Sequence, residues 1–321
     1  MSVPSGLVIV DKPGGMTSHD VVARIRRLAG TRRVGHAGTL DPLATGVLVV
    51  GVEKATRLLG YLTLTEKEYA ATIRLGQSTS TDDAEGEITS TASAADVSAE
   101  TLAKAVAGLT GKIQQVPPAV SAIKVDGQRA YRLTRAGAAP ELPPRPVTVY
   151  EFTVTAVRPA KADGLIDLDA IVRCSSGTYI RALARDLGAA LRTGGHLTRL
   201  RRTRVGGYGL DQAHTLDQLA SSFEMLPLAQ AASEAFPGRQ LTEDEARRLA
   251  HGGRLTATAT TATATTATAT TATAGADVAG GAGVADVTDP GIPTAAYAPD
   301  GTLVALLTEE SGQARPLVVF V

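Results

Sequence analysis

Apolar positions along the chain fall into short runs with two different periods, and they predict strands interleaved with a few amphipathic helices. Leu7 to Val10 read as a strand that leads into the turn Asp11-Lys12-Pro13-Gly14-Gly15-Met16-Thr17-Ser18. Ser18 is placed to cap a helix whose Val21, Val22, Ile25 and Leu28 share one face and which stops at Gly30. Val47 to Val50 form an unbroken apolar run, the mark of a buried strand, whereas Tyr69, Ala71 and Ile73 alternate with their neighbours as in a strand with one buried face. Residues 78 to 95, rich in Ser, Thr, Asp and Ala, read as a loop. Ser98 then caps a helix with Leu102, Val106 and Leu109 on one side. Pro117 and Pro118 exclude a helix in the next stretch, and Val125-Asp126-Gly127-Gln128 reads as a hairpin turn.

Beyond a proline-rich connector from Pro140 to Pro146, strands are predicted at Val147 to Val157 and Leu165 to Cys174. A tight turn follows, then a helix with Ile180, Leu183, Ala184, Leu187 and Leu191 as its apolar stripe. Leu197 to Gly206 is a basic strand carrying Arg199, Arg201, Arg202 and Arg204, open either to RNA contact or to a solvated sheet edge. Asp211 to Ala220 reads as a short helix, and Met225 to Leu228 leads out of a first domain spanning residues 1–235.

A second unit, 238–321, begins with Thr242 and Glu245 as the capping box of a short helix closed at Gly252. Strands follow around the Pro299-Asp300-Gly301 turn and at Pro316 to Phe320, enough for a small β-barrel. Thr256 to Ala274 contains only Thr and Ala. Without large apolar residues it cannot support a core, so about 256–290 is expected to be a flexible insert between barrel strands.

At 321 residues, 44% hydrophobic and 20% charged, the chain has the composition of a soluble two-domain protein. No apolar run approaches the roughly 20 residues of a membrane helix. Met1 to Val10 carry no basic region before their apolar run, so no signal peptide is expected and a cytoplasmic location fits. The single cysteine, Cys174, excludes an internal disulfide and a cysteine-based zinc site. The net charge of zero hides an asymmetry: residues 1–255 hold 31 Lys plus Arg against 26 Asp plus Glu, and the remainder has Arg315 alone against six acids. A polyanion partner should therefore meet the first part, where Arg24 and Arg27 lie on the polar face of the first helix.

The stretch Gly35 to Gly51 carries the candidate chemistry. Asp41 stands between a glycine-punctuated turn and the Val47 to Val50 strand, and Pro42 keeps it off a helix. Gly35, Gly38 and Gly46 allow tight backbone paths, and His36 could share the loop. On spacing alone this is either a surface Asp-Pro turn or a carboxylate fixed for catalysis.

The run from His36 through Leu48, with Gly38, Leu40, Asp41, Pro42, Leu43, Ala44, Thr45, Gly46 and Val47, resembles the catalytic loop of the TruB-type pseudouridine synthases. Those enzymes isomerise uridine-55 in the T loop of tRNA. Asp11 to Asp20 resembles the family's first motif, which packs beside that loop. Lys67-Glu68-Tyr69 resembles the family segment whose tyrosine stacks on the target base, and Gln115 to Tyr131 resembles a stretch that sets the TruB type apart. The ending from Gly238 resembles a PUA-type RNA-binding domain more weakly.

The resemblance implies an α+β fold with a mixed, largely antiparallel sheet and a small C-terminal PUA-like β-barrel. By the same resemblance Asp41 is the essential acid, Tyr69 stacks on the flipped base close enough to take part in proton transfer, and Arg181 pairs with Asp41. Leu200 walls the uridine pocket, and His36 fills the vacated space or touches the flipped nucleotide. Tyr179, Lys12, Lys124, Arg129 and Tyr131 are further substrate-binding candidates. The isomerisation needs neither redox change nor phosphoryl transfer, and the sequence has no Walker loop, dinucleotide fingerprint or metal-ligand cluster. No cofactor and no metal are expected. The expected partner is the T arm of tRNA, with no membrane, obligate protein partner or guide RNA.

Overall fold

The computed structural model describes residues 3–119, 124–125, 128–129, 142–159, 164–257 and 292–321. Strands β1 (Gly6–Lys12), β2 (Val34–Ala37), β3 (Thr45–Val52) and β4 (Lys67–Leu75) begin the main sheet. The hairpin β5 (Gln77–Thr79) and β6 (Ile88–Thr91) follows, then β7 (Gly111–Gln115) and the small ladder β8 (Lys124–Val125) and β9 (Gln128–Arg129). After these come β10 (Arg145–Pro159), β11 (Ile166–Cys174), β12 (Gly195–Val205), β13 (Tyr208–Gly209) and β14 (Leu226–Pro227). The described helices of this unit are α1 (Ser18–Ala29), α2 (Leu59–Thr63), α3 (Ala99–Gly108), α4 (Ile180–Ala190), α5 (Leu216–Ser221) and α6 (Leu228–Ala235).

The ten-stranded main sheet runs β14-β1-β3-β12-β4-β11-β10-β7, with β2 on β3 and β13 on β12. Its pairings are antiparallel except at β12 and β3, where Arg201 and Arg202 lie beside Thr45 and Gly46. The expected mixed, largely antiparallel sheet is what the chain forms. Both faces are covered, which explains the unbroken apolar run of β3: Val47 and Val49 join one core while Leu48 and Val50 join another under α1. Tyr69, Ala71, Ile73 and Leu200 share a third core with the apolar stripe of α4.

Several local expectations change. Helix α1 is capped by Thr17, whose hydroxyl accepts from Asp20 N at 3.1 Å while Asp20 accepts from Thr17 N at 2.9 Å. Ser18 is buried instead against the Asp41 loop. Residues 78–95 are not an open loop but include the β5–β6 hairpin. The basic strand is central rather than an edge, lying between β3 and β4, and two of its four charges are answered there: Arg201 forks onto Asp11 at 3.0 and 2.8 Å, and Arg204 meets Glu66 at 3.0 Å. Asp211 to Ala220 divides into a 3-10 turn and α5, capped by Thr215. Helix α6 was not anticipated; its short Ala-rich pattern follows Pro227 without a polar cap.

The C-terminal unit comprises β15 (Gly238–Gln240), α7 (Glu243–Ala250), β16 (Leu255–Thr256), β17 (Thr294–Tyr297), β18 (Leu303–Glu310) and β19 (Gln313–Val319). Thr242 and Glu245 cap α7 as the sequence predicts. The sheet β15-β17-β18-β19-β16 curls around Leu241, Leu249, Leu255 and Leu307, consistent with a small PUA-like barrel. Its other side joins Tyr297, Leu306 and Phe320 to Leu7, Ile9 and Val49 of the main sheet. The Thr/Ala-rich insert, from residue 258 onward, lies outside the described residues.

Candidate active site

The Asp41 loop joins β2 to β3 and is held from beneath by the turn after β1. Ser18 Oγ accepts from Leu40 N at 2.9 Å and donates to Leu40 O at 3.1 Å, so one buried hydroxyl satisfies both backbone groups of the residue before Asp41. Lys12 is drawn under the loop rather than into the cleft. Its ammonium is fully buried and donates to the carbonyls of Pro13, Met16 and Pro42 at 2.8, 2.6 and 3.4 Å. Burial pushes its pKa down to about 8, against the pull of Asp41 and Glu85. Gly15 N adds a bond to Pro42 O at 2.9 Å. The two motifs expected to pack together do so through backbone bonds.

Asp41 itself remains accessible, its side chain 41% exposed, with Arg181 Nε 2.9 Å from Oδ2. Arg181 lies in the first turn of α4, where the helix dipole disfavours a cation. Two carboxylates offset this, because Asp83 Oδ2 is 3.6 Å from the same nitrogen. Arg181 Nη1 also donates to Thr81 O at 2.9 Å. Asp83 is only 4% exposed and is fixed in turn by the Thr81 hydroxyl and by Glu85 N at 3.1 Å. Sequence reasoning missed Asp83, which sits in the stretch read as a loop. The adjacent acids Asp82 and Asp83 were its only signal, and the former pairs with Arg185 at 3.0 Å.

Tyr69 and Leu200 are both buried on the face of the sheet towards Asp41 and α4. Burial raises the Tyr69 phenol's pKa, opposed by the nearby Arg202 guanidinium and reinforced by Cys174 and Asp41. Tyr179 precedes α4, and its backbone is gripped by the buried amide of Gln115, which accepts from Tyr179 N at 2.8 Å and donates to Tyr179 O at 3.1 Å. Gln115 was not foreseen as part of the site.

His36 is not on the loop itself. It lies in β2 opposite Val50, because Val34 to Ala37 continue the sheet along β3. Its ring meets His19 edge-on at 5.5 Å, and its buried Nδ1 has no hydrogen-bond partner among the described residues. Burial, with His19 and Arg202 nearby, pushes its pKa down to about 4, so it is neutral near pH 7. Lys124 and Arg129 pair across the β8–β9 ladder, their side chains outside the described residues, as is Tyr131 altogether. Among the described residues no group of three or more His, Cys, Asp or Glu is arranged to hold a metal ion, and no helix is long and apolar enough to cross a membrane.

The arrangement supplies a fixed, accessible carboxylate beside a buried guanidinium, with a tyrosine and a leucine behind it. Residues 26–180 match the family model described as TruB family pseudouridylate synthase (N terminal domain). Residues 181–232 match tRNA pseudouridylate synthase B C-terminal domain, and 266–321 match tRNA Pseudouridine synthase II, C terminal. The chain is 58% identical over 316 residues to tRNA pseudouridine synthase B of Arthrobacter sp. (strain FB24), covering 98% of this chain and 96% of that one. To the protein of the same name from Thermobifida fusca (strain YX) it is 57% identical over 317 residues, covering 98% of each. Among solved structures, a Cbf5-Nop10-Gar1 complex contains a chain similar at TM-score 0.69 and 25% identity, over 99% of this chain and 86% of that one. Near-complete matches at this identity, over a loop that holds Asp41 against Arg181, place the chain in the TruB family of pseudouridine synthases.

Proposed function

We propose that the chain converts uridine-55 in the T loop of tRNA to pseudouridine, with Asp41 as the essential carboxylate. The observation that carries this reading is the Asp41 side chain, 41% open on one side and held by Arg181 Nε at 2.9 Å on the other. The reaction breaks the C1′–N1 bond and forms C1′–C5, while the proton lost from C5 is balanced by one gained at N1. A carboxylate enters either by attack on the nucleotide or by taking a proton from the sugar, and both routes need it ionised and aimed. The guanidinium beside it fixes the direction in which the carboxylate points.

The target base must leave its stack, at a cost of a few kcal/mol, and stacking on Tyr69 returns about 1 to 3 kcal/mol. Leu200 lines the same face, and neutral His36, on β2 beside β3, is the group we assign to meet the displaced nucleotide without bringing a charge. Lys12 serves by holding the loop, since its three carbonyl bonds occupy the ammonium. Lys12 also borders a groove of about 600 Å3 where Arg24 and Arg27 offer contacts to RNA phosphates, while Arg201 there is already held by Asp11 and Asp217 adds a second acid. We assign 1–235 to catalysis and 238–321 to RNA binding.

A similar chain occurs in a Cbf5-Nop10-Gar1 complex, which raises the second reading of a subunit that works inside an assembly. Identity of 58% over nearly the full length of a protein named tRNA pseudouridine synthase B favours an enzyme that acts on tRNA by itself. The test is incubation of purified protein with an unmodified tRNA transcript, without added metal, nucleotide or partner, and mapping of pseudouridine by carbodiimide-dependent primer-extension stops. One stop in the T loop, lost in Asp41→Asn, is the expected result. Full turnover by Asp41→Asn would sink the assignment.

A further inference from the structure

Arg202 is the most deeply buried arginine near the site, 1% exposed, in the middle of the central strand β12. Among the described residues its guanidinium makes no ion pair with a carboxylate, unlike its neighbours Arg201 and Arg204. A guanidinium taken out of water without a counter-charge is costly, so its presence calls for a reason in what it holds. It holds the two ends of the Asp41 loop: Nε donates to Val47 O at 2.7 Å and Nη2 to Gly38 O at 3.0 Å. Its Nη1 lies over Gly38, where an added Cβ would come within 3.3 Å.

Arg202 is also the cross-strand partner of Tyr69 on β4. Directly opposed residues of antiparallel strands project to the same face, so the guanidinium faces the phenol. The charged or titratable groups around that phenol are Arg202 on β12, Cys174 on β11 and Asp41 on the loop, with Lys67 further along β4 and paired with Cys174. Of those acting on the phenol, Arg202 alone favours its ionised form, against burial, Cys174 and Asp41.

We propose that Arg202 is a positioning residue for the isomerisation, clamping both ends of the Asp41 loop against Tyr69 and fixing the tyrosine hydroxyl beside a constant positive charge. The two buried arginines then divide the work. Arg181 orients the carboxylate, and Arg202 orients the phenol that stacks on the base and takes part in proton transfer. This rests on the reading of Asp41 and Tyr69 given above.

The test is a double-mutant cycle on tRNA transcript under single turnover, with tRNA affinity and thermal unfolding measured on each variant. Arg202→Met is expected to slow the reaction about 100-fold, on the scale of a lost proton-transfer arrangement, with affinity within about threefold of wild type. Arg202→Lys, which restores the charge, should recover about tenfold of that loss. In the Tyr69→Phe background, Arg202→Met should cost at least about tenfold less than in the wild type, because the hydroxyl it serves is gone and only the loop clamp is left to lose. Equal losses in both backgrounds would overturn the proposal, as would a loss confined to affinity. If Arg202→Met does not unfold cooperatively, the same cycle is read with Arg202→Lys, whose loss of about tenfold should vanish in Tyr69→Phe. Wild-type turnover by Tyr69→Phe removes both the tyrosine's role and this proposal, whereas an active Asp41→Asn strikes only the assignment of the acid.

Discussion

Replacing Arg181 by methionine separates what the guanidinium does for stability from what it does for chemistry. Arg181 answers Asp41 at 2.9 Å and Asp83 at 3.6 Å, but Asp41 is 41% exposed and Asp83 only 4%. Once the cation is gone, Asp41 can turn to water and Asp83 cannot. A pair at this separation is worth roughly 4 to 5 kcal/mol at an effective dielectric of about 20, and breaking a buried pair by removing one partner costs about 3 to 5 kcal/mol. At about 2 to 4 °C per kcal/mol for a domain of this size, Arg181→Met should lower the melting temperature by roughly 6 to 20 °C. Its turnover should fall by about 100-fold or more, since a misplacement of about 1 Å at a reacting group costs that much.

The decisive variant is Asp83→Asn on top of Arg181→Met. The amide keeps an oxygen for the Thr81 hydroxyl and Glu85 N but strands no charge. Thermal unfolding should therefore recover most of the lost stability, while single-turnover pseudouridine formation stays low because Asp41 still lacks its partner. Recovery of neither quantity, or of both together, would refute the division of labour argued from these distances.

Three further outcomes follow from individual contacts. Ser18→Ala removes one buried hydroxyl that serves both backbone groups of Leu40 and should cost about 1 to 3 kcal/mol in urea unfolding, with turnover falling more than tRNA affinity. His36 has a pKa of about 4 in the folded chain and about 6.5 when unfolded, so between these values only the unfolded chain binds the proton. Stability should fall as pH drops from about 6.5 towards 4, by about 1 to 3 kcal/mol, and His36→Gln should lack this component; parallel urea-midpoint curves for the two proteins would count against it. Phe320, buried where the C-terminal unit meets the main sheet, should cost about 3 to 5 kcal/mol on truncation to Ala, and limited proteolysis should then release that unit before the catalytic one is cut.

The parts legible in the sequence are those set by local pattern. The Val21, Val22, Ile25 face of α1, the stripe of α4 and the glycine-flanked Asp41 loop all declare themselves within a few residues. What stayed hidden depends on strand order and on distant partners. Four arginines in six positions look like a solvated edge until Asp11 and Glu66 are brought alongside by β1 and β4. Asp83 lies among Ser, Thr and Ala, a composition that reads as a loop, and nothing local tells that α4 will deliver Arg181 to it. Ser18 fits a helix cap by type and place, but Thr17 takes that role and leaves Ser18 to hold Leu40.

The junction of β3 with β12 shows how these non-local facts create the site. It is the one parallel pairing of the main sheet's described strands, and it occurs where the Asp41 loop rejoins the sheet. Gly46, at φ +96°, would bring an added Cβ within 2.1 Å of Arg202 O, so only glycine lets the two backbones meet there. That contact fuses the loop's exit to the strand that carries Leu200 and Arg202, while β4 brings Tyr69 to the other side of the same strand. Asp41, Leu200 and Tyr69 are therefore not carried on three loops that must find one another on binding RNA. Their spacing is set by the hydrogen-bond registers of β3, β12 and β4, and what remains free to respond to the substrate is the exposed side of Asp41.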